Sequence, residues 1–316
     1  MAKHTADDFI KVWKETGGNL EAIREKMGYA TIQVVANRRR AIEKLKGITL
    51  KSASDRSSRN FELKKVREGR RIELEIVDGT ILIGSDAHVW PGELTTAQRG
   101  FQHMAARLKP TAIVMNGDVF DGAKISRHPP YLWSMEKRPK VKDELEACQN
   151  FLVPLKAKHL IWNYGNHDAR FEYTLAAAVP EYSGVAGTAL KDHFPEWQFS
   201  MAVFVNENTV IKHRHANGIH ATYNNALRAG RHMVTGHLHS PKVTPWTDYN
   251  GTRYGVDCGT LADPQSDQFD YMEEGPQNHR SGFVLLTYRD GKLLMPEIIQ
   301  VWDDDHVEFR GEIIKV

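Results

Sequence analysis

Gly79-Thr-Ile-Leu-Ile-Gly-Ser-Asp86-Ala-His88 is an apolar run that ends abruptly in a carboxylate and an imidazole. A short β-branched run bounded by glycine reads as a buried strand, with its polar residues delivered at the C-terminal end. The pattern recurs twice: Ala112-Ile-Val-Met115 runs into Asn116-Gly117-Asp118, and His159-Leu-Ile-Trp-Asn-Tyr164 into Gly165-Asn166-His167-Asp168. Helical stretches over Thr95–Leu108 and about 141–156 separate them. This is the strand–helix–strand rhythm of an α/β fold with parallel strands. In such sheets, ligands collect in the crevice where strands end. Ile72-Glu-Leu-Glu-Ile-Val77 alternates like a strand just upstream, and further strands at about 200–213, 231–235, 253–258 and 282–289 imply a second sheet.

Upstream of residue 72 the character differs. Residues 6–15 place Phe9, Ile10 and Trp13 at helical spacing, and Thr16-Gly-Gly-Asn19 ends that helix. Asn19 can cap a second helix, Leu20–Met27, and Gly28-Tyr-Ala30 makes a turn into a third at roughly 31–46. The third carries Thr31, Gln33, Asn37, Arg38, Arg39 and Arg40 on a frame of Ile32, Val35, Ile42 and Leu45. Three short helices ending in a polar, basic one resemble a helix-turn-helix DNA-binding domain over residues 1–48. Its polar residues would then face bases and its arginines phosphates. A solvated basic helix bundle is the plainer alternative. Residues 49–71 are poor in apolar side chains and read as a linker, leaving 72–316 as the main domain.

Composition narrows the classes further. With 41% hydrophobic and 26% charged residues the chain has a sizeable core to bury, and no apolar run approaches the roughly 20 residues that span a bilayer. No membrane partner and no signal peptide are expected. Cys148 and Cys258 suggest buried thiols in a reducing cytoplasm rather than a disulfide framework. Charge is uneven: residues 1–70 hold 17 Lys and Arg against 9 Asp and Glu, the rest 25 against 31. A basic arm on an acidic body pairs a polyanion-binding module with a cation-binding one.

The cation-binding side is explicit. Asp86-Ala-His88, Gly117-Asp118-Val-Phe-Asp121, Gly165-Asn166-His167-Asp168, His213-Arg-His215 and Gly236-His237-Leu-His239 follow one another along the chain. Carboxylate oxygens mixed with imidazole nitrogens suit Mn²⁺, Fe²⁺ or Zn²⁺. This ordered series resembles the calcineurin-like metallophosphoesterase superfamily, whose signature is D-x-H, GD-x-x-D, GNH-D/E, a lone His and G-H-x-H. The resemblance implies a two-sheet αββα metallophosphoesterase sandwich with a small all-α N-terminal three-helix domain. It also implies two divalent ions, manganese foremost, and a water activated by both. Asp118 would bridge the ions; Asp86, His88 and His239 would complete one shell, and Asn166, His237 and His213 the other. His215, on the same strand face, is the alternative to His213, which comes first after the strand; Arg214 stands where the family has glycine. His167 would assist the leaving oxygen, with Asp121 orienting it. Asp168 is assigned to bonding the turn or capping the next helix.

Arg127, His128 and Arg170 are candidate phosphate contacts, with surface ion pairs the plainer role, and Trp90, Tyr131, Trp133 and Tyr182 are candidate base-stacking residues or core. His4, His103, His159, His279 and His306, which lack ligand neighbours in the sequence, are read as surface or packing residues. These features point to a metal-dependent phosphodiesterase or nuclease acting on DNA. A phosphomonoesterase or small-nucleotide phosphodiesterase with an N-terminal interaction module is the alternative enzyme, and a DNA-binding regulator with a phosphoesterase platform the non-enzymatic one. The domain pairing resembles phage-encoded proteins, which implies a bacterial or phage-infected cytoplasm.

Overall fold

The computed structural model describes residues 4–50, 70–127, 136–272 and 278–316. It divides into two compact units, Met1–Val66 and Arg67–Val316.

The first unit holds α1 (Ala6–Glu15), α2 (Leu20–Met27) and α3 (Ile32–Lys46), each started by a capping side chain. Thr5 accepts from the Asp8 amide, Asn19 from those of Glu21 and Ala22, and Thr31 from that of Val34. These bonds occupy amides that the first turn leaves orphaned. Phe9, Trp13, Ile23, Met27, Val35, Ile42 and Leu50 form the core. Two side chains expected in the frame of α3 are not in it: Ile32 is 44% and Leu45 76% exposed. Val35 and Ile42 lie two turns apart and meet α1 and α2, whereas Ile32 and Leu45 lie off that stripe. Both ends of the expected linker are structured: Leu50 joins this core, and Arg71 begins a strand in the second unit. Residues 51–69 lie outside the described residues.

The second unit is built on two sheets. One runs in the order β1 (Arg71–Leu74), β6 (Ala202–Val205), β7 (Thr209–Ile211), β8 (His232–Thr235), β10 (Gly251–Asp257) and β9 (Lys242–Asp248). The other runs β15 (Glu312–Lys315), β14 (His306–Phe309), β13 (Glu297–Asp303), β11 (Gly282–Arg289), β2 (Gly79–Gly84), β3 (Ala112–Met115), β4 (His159–Asn163) and β5 (Gln198–Ser200), with β12 (Lys292–Leu293) beside β11. Alternation along the strands separates the layers. Ile81, Ile83, Val114 and Ile161 meet Val203, Val205, Ile211, Val234 and Val256 of the facing sheet. Leu82, Ile113, Met115 and Trp162 point the other way, onto Phe101 and Met104 of α4 (Thr96–Leu108) and Leu145, Cys148 and Phe151 of α5 (Val141–Leu152). With α7 (Ala221–Ala229) on the outer face of the first sheet, the layers run α, β, β, α.

Two expectations need correction. The 282–289 strand does not join the second sheet: β11 lies antiparallel to β2, at the centre of the larger one. The 200–213 stretch is three strands, of which β5 belongs to the larger sheet and β6 and β7 to the other. The C-terminal strands β13 to β15 were not anticipated. Trp302-Asp-Asp-Asp-His306 turns the chain from β13 into β14. Among the described residues no helix is long and apolar enough to cross a membrane.

Parallel pairing decides where the polar motifs arrive. β2, β3 and β4 run side by side, with Gly84 opposite Met115 and Met115 opposite Trp162. In the facing sheet β7 and β8 are parallel, with Ile211 opposite Val234. Five loops therefore leave the two sheets at neighbouring strand ends.

Candidate metal centre

The five loops converge on one cluster. Among the described residues, ligand atoms of Asp86, His88 and His239 lie within 4.8 Å of one another, as do those of Asp118, His213 and His237, and of His88, Asp118 and His167. Asp118 belongs to two of these groups and so stands between the other carboxylate and the second histidine pair. Asp86 Oδ1 is 3.1 Å from His239 Nε2, and Asp118 Oδ2 is 3.1 Å from His213 Nε2. His213 is buried, whereas His215 is exposed and outside these groups.

The backbone is bent to achieve this. Asp86, His88, Asp118, His237 and His239 all have positive φ, from 40° to 73°. L-residues avoid this region, and such strain persists where surrounding structure enforces it, commonly at functional sites. The enforcing contacts are visible. The His237 amide donates to Asp86 Oδ2 (2.8 Å) and the His167 amide to Asp118 Oδ1 (2.7 Å). The buried Asp168 carboxylate accepts from the amides of Asp118, Val119, Phe120 and Gly165 and from the Trp162 indole, at 2.8–3.1 Å. Asp168 thereby ties the loop after β3 to the loop after β4. Two motif glycines leave no room for a side chain: a Cβ on Gly165 would strike Asp118, and one on Gly236 would strike Ser85 and Asp86.

Four candidate ligand atoms are buried without a hydrogen-bond partner among the described residues: His88 Nε2, Asn166 Oδ1, His213 Nε2 and His239 Nδ1. Buried polar atoms are seldom left unpaired, and buried imidazole and amide groups gathered with carboxylates are what a divalent cation requires. The donor set fits a metal centre. Without a cation, the carboxylates draw positive charge onto the imidazoles instead. Burial alone would raise the Asp86 pKa, but His239 and His213 hold it at about 2. Burial works against a charged His213, yet Asp118 and Asp86 push its pKa up to about 10. Asp118 is held well below the usual carboxylate range, burial being outweighed by His213 and His167.

Beside this cluster lies a second, hydrogen-bonded one. Asp121 Oδ1 contacts His167 Nδ1 (2.6 Å) and His88 Nδ1 (3.1 Å), while the Trp90 indole donates to Oδ2 (2.9 Å). Trp90 is thus held by its nitrogen, and Tyr182 is 58% exposed. Arg170 donates through Nη2 to His167 Nε2 and through Nη1 to the Asp121 carbonyl, both at 2.9 Å. Burial lowers the His167 pKa, but Asp118 and Asp121 overcome it and the net direction is up. Arg127 is exposed; His128, Tyr131 and Trp133 lie outside the described residues.

Two neighbours escaped the sequence reading. Glu144 of α5 is fully buried and accepts from the amides of Gly122 and Ala123, holding the turn that follows Asp121. Burial and nearby Asp121 push its pKa up to about 8. His279, read as lacking ligand neighbours, packs edge-on against His239 with ring centroids 4.6 Å apart. Neither stands in a recognisable motif, so only the fold could find them.

In α3, Gln33 donates to Asn37 one turn later, and Arg38 reaches the His4 carbonyl. Arg39, expected to face phosphate, is turned inward: it pairs with Glu43 (2.9 Å) and lies over the Trp13 ring. Thr31, Gln33, Asn37, Arg38, Arg40 and Lys44 remain exposed.

Comparison with known proteins shows what the body is similar to. The model of calcineurin-like phosphoesterases matches residues 79–215, which include the first four motifs; Gly236-His237-Leu-His239 lies beyond the match and is brought in by the fold. The Gene 54 protein of Mycobacterium phage L5 is 26% identical over 220 residues, covering 61% of this chain and 82% of that protein. Among solved structures, an archaeal phosphodiesterase is 15% identical with a TM-score of 0.37, covering 69% of this chain and 99% of the other. The Pseudomonas putida nuclease MPE is 13% identical with a TM-score of 0.31, covering 68% and 86%.

Proposed function

We propose that this chain, whose residues 79–215 match calcineurin-like phosphoesterases, is a hydrolase of phosphate esters, and that it is a dinuclear, metal-dependent phosphodiesterase acting on DNA. The observation that carries the reading is the convergence of Asp86, His88, Asp118, His213, His237 and His239, while Asn166, next to His167 in the chain, has a buried, unpaired side-chain oxygen. Asp86, His88 and His239 would hold one ion, Asn166, His213 and His237 the other, and Asp118 both. Divalent ions, Mn²⁺ the first choice by this donor set, would neutralise the phosphate and acidify a water.

The protein's own groups do the rest. Asp121 fixes His167 through Nδ1, leaving Nε2 4.0 Å from Asp118 Oδ2, at the edge of the cluster, where a leaving oxygen needs a donor. Trp90 and His88 hold Asp121 from the other side, so the histidine cannot swing. Asp168 keeps Asp118 and His167 in register by clamping both loops. Arg170 supplies positive charge beside His167.

DNA is favoured as the substrate by α3, whose exposed Arg38, Arg40 and Lys44 accompany Gln33 and Asn37 on a capped helix that follows a tight turn at Gly28. Cations of this kind bind the phosphate backbone, and amide side chains read base edges. The test is incubation with Mn²⁺ and end-labelled single- and double-stranded DNA beside a chromogenic phosphomonoester. Cleavage of DNA, abolished by Asp118→Asn, is expected. Turnover of the monoester alone would reject the diester reading, and cleavage undiminished by Asp118→Asn would reject the metal centre.

A further inference from the structure

Both ring nitrogens of His167 are occupied. Nδ1 is engaged by Asp121 at 2.6 Å, and Nε2 accepts from Arg170 Nη2 at 2.9 Å. A guanidinium has donors and no acceptor, so at this contact Nε2 presents a lone pair. No leaving oxygen can reach Nε2 while Arg170 covers it. We propose that Arg170 is a removable cap on His167, drawn off Nε2 when a non-bridging oxygen of a phosphate ester takes the place of the imidazole nitrogen. This rests on the phosphoesterase reading of the same site and adds to it how substrate uncovers the assisting histidine.

Three features support the exchange. First, Arg170 sits three residues after His167 in α6 (Asp168–Ala178), so the two side chains share the face of the first turn. Second, Nη1 is tethered independently to the Asp121 carbonyl, so Nη2 can change partner while the fork stays in place. Third, Arg170 is 21% exposed and its partner ring 19%, whereas Asp121 and Asp118 beneath them are buried. The face that substrate approaches is therefore the one Arg170 occupies. A guanidinium facing an anionic phosphate oxygen joins two opposite charges, whereas facing a neutral imidazole it has only its own, which sets the direction of the exchange. The exchange itself trades one hydrogen bond for another; Nε2, once uncovered, takes a proton from solvent, passes it to the leaving oxygen and is covered again when the product leaves. Arg170 is on this account a positioning residue for His167 and a binding residue for phosphate.

The experiment uses the full chain loaded with Zn²⁺, labelled with [¹⁵N]histidine, and inorganic phosphate as the probe. The His167 Nε2 resonance is assigned by its loss in His167→Gln. In the absence of phosphate, Arg170→Ala is expected to move that resonance towards the free-acceptor position, and phosphate is expected to move the wild-type resonance the same way. Phosphate should bind Arg170→Ala about ten- to a hundredfold more weakly, the loss of one charge-assisted hydrogen bond. Arg170→Lys keeps the charge but not the fork, and should recover part of the affinity. It also carries both readings if the alanine variant does not fold. A wild-type resonance unmoved at saturating phosphate, or undiminished phosphate affinity in Arg170→Ala, would overturn the cap. If zinc loads and phosphate esters are hydrolysed while the resonance stays still, the cap alone falls; if zinc does not load, the phosphoesterase reading falls and takes it along.

Discussion

Asp168 shows how one side chain can organise a site it does not enter. Its two oxygens take five N–H donors from three stretches of chain, and an amide in its place could accept only through one oxygen. Asp168→Asn should therefore lower stability by about 3 kcal/mol or more, the cost of buried donors left facing a second donor. Chemical denaturation of the metal-free protein checks this, and a change below about 1 kcal/mol would contradict it. The ligand types themselves were legible in the sequence, because aspartate and histidine recur together after successive apolar strands. What was not legible was the conformation that joins them. Left-handed backbone at Asp86, His88, Asp118, His237 and His239 leaves no composition signal, and Glu144 and His279 reach the site from elements with no motif of their own.

At the scale of elements, the site depends on loops after parallel strands approaching within contact distance. Gly165 and Gly236 permit that approach, and neither needs a left-handed backbone, so alanine is disfavoured there by space alone. Gly165→Ala and Gly236→Ala should each cost about 1–3 kcal/mol and weaken Mn²⁺ binding about ten- to a hundredfold. Calorimetric titration of Mn²⁺ into each variant measures the second effect, and wild-type affinity in both would refute the crowding argument. The strands ahead of these loops were readable because they are apolar, short and bounded. Sheet membership was not. β11 looked like a partner for β8 and β10 but pairs with β2, since pairing depends on partners distant in sequence. α3 shows the same limit: its length and cap were plain, yet Arg39 folds onto Trp13 and Glu43, contacts that only the assembled bundle provides.

At the scale of the molecule, two predictions join stability and binding to charge. Glu144 has a folded pKa raised to about 8 from an ordinary 4.5, first by burial and then by Asp121. The folded state therefore holds a proton that the unfolded state has lost between those values, so this group's contribution to stability falls as pH rises from about 4.5 to 8. Glu144→Gln should flatten that decline, by on the order of a few kcal/mol across the window, as read from denaturation midpoints of metal-free protein at several pH values. A slope identical in the variant would show that the carboxylate ionises normally. For the N-terminal unit, replacing Arg38, Arg40 and Lys44 by alanine should reduce the dependence of log K on log salt for duplex DNA by about 2–3. An unchanged slope would remove α3 from the interface.

The central claim is that seven side chains from five loops hold a pair of cations around Asp118. Its most direct test is the manganese content of the protein after loading and exhaustive dialysis, measured by elemental analysis for the wild type and for Asp118→Asn. The account predicts two Mn²⁺ per chain in the wild type and a marked loss in the variant. Retention of at most one ion by the wild type, or equal retention by both proteins, would contradict it.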